Sequence, residues 1–106
     1  MSRTLVVGFD GATLDLCERW IAGGRMPVLD GLWKDGAGGL LRSTLPSNSA
    51  VAWTSLATGM GPGHHGVFDF VLPRRGDYGY RVATREDRRV AALWNHAADA
   101  GARVGS

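Results

Sequence analysis

Two polar residues stand where a folded chain commonly presents reactive groups. Ser49 follows Asn48, and both are favoured caps for the helix that the spacing predicts from about Ser49 onward. Free backbone N–H groups and the positive end of a helix dipole converge there, so the position suits an anion. A serine alkoxide attacks phosphorus well, but serine is a weak acid and needs a base or a metal. Taken alone, Ser49 reads first as a plain cap. Asp10 closes the apolar run of residues 4–9 and is followed by Gly11. In open α/β sheets ligands bind at that edge of a strand. A simple turn or helix cap accounts for Asp10-Gly11 as well.

The other candidates are weaker. His64 and His65 are adjacent in a glycine turn, poorly placed to chelate one ion together, and no cysteine or second histidine lies at helical spacing. Structural roles are expected for both. His96 is expected at the rim of a core. The single Cys17 excludes an internal disulfide and reads as a buried thiol. G-x-S-x-G is absent around Ser49, which argues against an α/β-hydrolase elbow. Asp10 replaces the second glycine of a dinucleotide fingerprint, and no Gly-Lys-Ser/Thr occurs. Ala12 stands where a haloacid dehalogenase places its second aspartate.

The elements that must hold Asp10 and Ser49 follow from periodicity. Residues 4–9, TLVVGF, read as a strand buried on both faces. Residues 14–22 have helical spacing, with Leu14, Cys17 and Ile21 on one face and Gly23-Gly24 as a stop. Pro27 opens a second helix that turns Leu29, Leu32 and Trp33 inward and ends at Gly36. Residues 38–43 form a short strand. Pro46 breaks it, and the helix from Ser49 runs to Thr58-Gly59, with Trp53 able to wall a pocket. Residues 60–65 are loop, and residues 67–71 a brief extended segment. Thr84 to Asp87 fits a capping box. A helix over residues 88–100 places Val90, Leu93, Trp94 and Ala97 on one face, and residues 102–104 begin another strand.

The composition bounds the class. The 106 residues are 44% hydrophobic, ordinary for a globular protein, and carry a net charge of +2, too small to point to nucleic acid. Arg74, Arg75, Arg81, Arg85, Arg88 and Arg89 cluster late in the chain. They read first as a solvated loop and outer helix face, and second as a surface for an anionic substrate. No signal or membrane-spanning segment is visible, so a cytoplasmic protein is the default. The chain ends a few residues into an expected strand, and few parallel strands cannot close a core covered on both faces. Residues 1–106 are therefore expected to be the N-terminal part of one larger domain.

With these residues in view, the chain resembles the N-terminal part of the alkaline phosphatase superfamily, in its type I phosphodiesterase/nucleotide pyrophosphatase branch. The likeness is carried by VVGFDGA, by the G-x-M-P-x-L-x-x-L run from Gly24 to Leu32, and by LLRSTLPSNSAVAWTSLATGMGPGHHGVFDF. The ALWNHAADAGARVG ending continues it. The combination of strand–Asp-Gly, Pro-x-x-Ser-x-x-x-Trp and His-Gly-x-Phe-Asp-Phe is specific, although each part is common.

The resemblance implies an α/β fold, a largely parallel sheet with helices on both faces. It implies a metal-dependent hydrolase of small phosphate esters, a phosphodiesterase or phosphomonoesterase, with Ser49 as a nucleophile that becomes phosphorylated. Asp10 and Ser49 would bind one of two divalent metals, commonly zinc, with manganese or magnesium as alternatives. Trp53 would contact substrate, and His65-Gly66 would be structural. Phe70 stands where nucleotide pyrophosphatases commonly have an asparagine, which argues against a nucleotide substrate, and Val51 replaces a frequent proline. The later Asp and His ligands are not among these residues, so this polypeptide alone is expected to be inactive. A phosphoglycerate-mutase-type phosphotransferase and a non-catalytic α/β fragment or binding module are the alternatives. No nucleic-acid or membrane partner is implied.

Overall fold

The computed structural model describes residues 3–105 as two compact units, one running through Arg42 and the other starting at Ser43. In the first unit, α1 (Leu14–Ala22) and α2 (Pro27–Asp35) form where the spacing places them. Leu14, Cys17 and Ile21 share the half-buried face of α1. Its end is a Schellman turn: Gly24 adopts φ 68°, its N–H donates to Ile21 C=O at 2.9 Å, and Arg25 N–H donates to Trp20 C=O at 2.9 Å. Pro27 supplies a preset φ at the first turn of α2, where its missing N–H costs nothing. Gly38 passes against the Trp33 ring so closely that a Cβ there would lie 2.6 Å from it and the ring would have to shift.

The expected strands of this unit are not formed. Among the described residues, 4–9 and 38–43 have no ladder partner, and Leu5 and Leu41 are 85% and 86% exposed. A strand exists only by exchanging backbone hydrogen bonds with a neighbour, so an apolar run without one stays extended and irregular. Cys17 is half-buried, and Leu32 is exposed on α2.

The second unit contains α3 (Ser49–Thr58), α4 (Pro62–His65), β1 (Val71–Pro73), β2 (Tyr80–Val82) and α5 (Leu93–Asp99). Asn48 caps α3, its side-chain oxygen accepting from Val51 N–H at 3.0 Å. Gly59, in the left-handed region at φ 67°, ends it. Residues 60–65, expected as loop, include the short helix α4 because Pro62 starts a turn that Gly66 closes at φ 81°. The core lies here: Val51 and Ala92 are wholly buried, and His65 and Val67 lie with them.

Among the described residues the paired strands are β1 and β2, an antiparallel ribbon with Val71 opposite Val82 and Pro73 opposite Tyr80. The structure therefore does not show the expected largely parallel sheet: among the described residues, 4–9, 38–43 and 102–104 have no strand neighbour to pair with. Thr84 does cap a helical turn, its N–H donating to the Asp87 carboxylate at 2.8 Å. That turn is a 3₁₀ turn, Arg85–Asp87, which ends at the extended Arg88. The helix expected over residues 88–100 starts only at Leu93, where the Asn95 side chain accepts from Ala92 N–H at 2.9 Å. No helix among the described residues is long and apolar enough to cross a membrane.

Candidate active site

Ser49 is the first residue of α3, placed there by the Asn48 cap, and it lines a cavity of about 370 Å³ within the second unit. One turn on, Trp53 lines the same cavity, joined by Phe70 and Trp94 as aromatic walls and by Arg85 and Arg88 as cationic ones. The two side chains expected to act on substrate, Ser49 and Trp53, are thus brought together. Asp10 belongs to the first unit, in a turn that Gly11 makes at φ 70°, with Gly11 C=O accepting from Thr13 N–H at 3.1 Å.

Behind the cavity, α3 is held by His65. Nε2 of His65 lies 2.9 Å from Ser55 Oγ, and Nδ1 accepts from Val67 N–H at 3.1 Å. Nδ1 as acceptor leaves the proton on Nε2, which donates to Ser55. Both ring nitrogens are used inside the unit, so His65 is a strut and not a metal ligand. Its burial holds the imidazole below its ordinary pKa. Gly66 lets Arg89 lie directly over the turn, where a Cβ would come within 2.8 Å of Arg89 Nε, and Arg89 N–H donates to His65 C=O at 3.0 Å. The structural role expected of His65-Gly66 is met by this geometry. His64 and His96 are exposed, so His96 is not at a core rim.

The cationic side of the cavity comes from the chain between the ribbon and α5. Arg81 on β2 pairs with Asp87 through both carboxylate oxygens, one contact at 2.7 Å. The Arg81 guanidinium, with the Thr84 N–H, holds the Asp87 carboxyl well below the usual carboxylate range. This fork fixes the 3₁₀ turn that carries Arg85 and leads into Arg88. Arg88 lies over the Trp94 ring, 5.4 Å from its centroid, and its Nη2 donates to Asn95 Oδ1 at 3.2 Å. The sequence placed the late arginines first on a solvated face. The residue that could have signalled otherwise is Trp94, one helical start after Arg88, because an aromatic face draws an arginine in.

The family model for type I phosphodiesterase / nucleotide pyrophosphatase matches residues 4–106. Neither the curated proteins nor the solved structures provide a match.

Proposed function

Because the chain belongs to the type I phosphodiesterase/nucleotide pyrophosphatase family, we propose that it supplies the Ser49 nucleophile of a hydrolase of small phosphate esters. The family is one of phosphodiesterase- and pyrophosphatase-type hydrolases. The observation that carries the assignment to Ser49 is its place at the first turn of α3, on the wall of a cavity that also holds two arginines.

In this reading the Ser49 oxygen bonds to phosphorus as the ester P–O bond breaks. The departing alcohol takes up one proton for the one the serine releases. Water then attacks the phosphoserine, restoring the hydroxyl and releasing phosphate or its monoester. The N-terminal N–H groups of α3 and the positive cavity wall stabilise charge on the phosphoryl oxygens. Trp53 borders the leaving alcohol.

The family is metal-dependent, and we assign Asp10 and Ser49 as the ligands these residues contribute to one of two divalent ions, zinc first and manganese or magnesium second. Among the described residues no group of three or more His, Cys, Asp or Glu side chains could hold an ion. The described residues do not by themselves make a complete metal centre.

The test is turnover of p-nitrophenyl phosphate and bis-p-nitrophenyl phosphate by the intact protein, with and without added zinc or manganese. Ser49→Ala and Asp10→Asn should each abolish turnover while the fold is kept. Full activity in Ser49→Ala, or a trapped phosphoryl group on another residue by mass spectrometry, would dispose of the assignment.

A further inference from the structure

The geometry points to Arg88 as the residue that binds the anionic group of the ligand, and to a phosphate ester with a flat aromatic alcohol portion as the ligand class. The inference deepens the reading of Ser49 and rests on it for the position of the phosphoryl group.

Four observations carry it. First, the polar groups of the cavity wall sort into those already engaged and those that are not. Thr54 Oγ1 donates to Ala50 C=O at 2.7 Å, and Thr84 is committed to the Asp87 carboxylate. Arg88 Nε is buried without a hydrogen-bond partner, although an arginine carries about five N–H donors and the bond to Asn95 uses one. A donor without an acceptor is costly to leave unmade, and it gives Arg88 spare donor capacity that an anion can use.

Second, Arg85 and Arg88 line the cavity and no carboxylate does. The wall is net positive, which suits an anion and opposes a neutral or cationic ligand. Third, Arg88 is preset. The Trp94 face below it and the Asn95 oxygen beside it hold the guanidinium in one plane, so little side-chain freedom is left to lose on binding. Fourth, the remaining wall is apolar and aromatic, with Trp53 and Phe70 facing the same space as Ser49. A volume of about 370 Å³ holds a phosphate and one ring. It lies at the small end of ligand cavities, which run from about 300 to 1,000 Å³.

The probes are phenyl phosphate and methyl phosphate, which share the anionic group and differ in the ring. Binding is measured by calorimetry on the intact protein carrying Ser49→Ala, where turnover cannot consume the ligand. Phenyl phosphate should bind about tenfold tighter than methyl phosphate, as expected for one aromatic contact plus the apolar area covered. Adding Arg88→Gln should weaken both ligands by about tenfold to a hundredfold, the loss of a charge-assisted bond. Arg88→Lys, which keeps the charge and the fold but not the planar fork, should recover only part of that.

Equal affinity for the two esters overturns the aromatic assignment. Undiminished binding in Arg88→Gln overturns the role of Arg88. The two readings separate cleanly. Arg88-dependent binding without turnover in the wild-type protein would sink Ser49 and keep Arg88. A phosphoserine at Ser49 that forms equally well in Arg88→Gln, with unchanged KM, would do the reverse.

Discussion

Ser55 Oγ lies 2.9 Å from His65 Nε2, and this contact ties the middle of α3 to the end of α4. The Val67 N–H on the opposite nitrogen makes the neutral imidazole the only form that satisfies both bonds. Protonation places a hydrogen on Nδ1 against that N–H. The folded pKa is lowered by burial, so the unfolded chain binds the proton more readily. The stabilisation is whole above the unfolded value of about 6.5 and is lost as pH falls through the window below it. Urea midpoints at pH 7.5 and 5.5 should differ in that direction, and His65→Ala, which costs on the order of 2–4 kcal/mol, should flatten the difference. An unchanged pH dependence in His65→Ala would contradict this.

Asn48 sets where α3 begins, and therefore where Ser49 sits. Asn48→Ala should cost about 1 kcal/mol in chemical denaturation, and Asn48→Asp or Asn48→Ser should recover most of it. Because the cap positions the first turn, turnover in Asn48→Ala should fall through kcat more than through KM. A loss in KM alone would show that the cap acts on substrate binding.

Gly66→Ala meets two obstacles, a φ of 81° and the Arg89 side chain at 2.8 Å from the new Cβ. The left-handed backbone alone costs about 1–2 kcal/mol. Gly66→Ala combined with Arg89→Ala relieves only the contact. The double variant should therefore be more stable than the sum of the single changes predicts, yet less stable than Arg89→Ala. Thermal unfolding of the four proteins measures the coupling.

The Arg81–Asp87 fork makes a prediction for acid. Asp87 titrates well below an ordinary carboxylate, so its contribution is present above about pH 4 and is lost as pH falls through the folded value. Carboxyl NMR should show Asp87 as the last carboxylate to protonate on acidification. Arg81→Gln should move its titration up toward about 3.9. Asp87 titrating with the exposed carboxylates in the wild type would remove the fork as the cause.

Local signals in the sequence were legible where the causes are local. The Asn48 cap of α3, the proline start of α2 and the glycine stops of all three helices each follow from one or two residues, and those ends fall where the residues stand. The family was legible because its motifs are contiguous. The strands were not, because apolar residues 4–9 fit a strand only if other strands flank them, and pairing is not a property of the run itself. The helix over residues 88–100 was read from its apolar spacing, but the Arg85–Asp87 turn ends at Arg88, and the Asn95 cap moves the start to Leu93. Around Ser49, the α3 residues were found, whereas Arg88 and Trp94 enter the cavity from the loop and helix that follow the ribbon. Their approach depends on where that chain segment folds back, which spacing along the sequence does not encode.

The exposed apolar run of residues 4–9 has a consequence for handling the protein. It combines high β-propensity with no charge and no proline, the composition that self-associates into intermolecular sheets. Arg3 on one side and Asp10 on the other are the charges that guard it, as gatekeepers flank such segments elsewhere. Asp10 therefore carries a colloidal duty whatever else it does. Asp10→Asn removes a guard and should raise light scattering during refolding, while Asp10→Glu should not. The conservative variant is the one with which loss of activity can be read apart from loss of solubility.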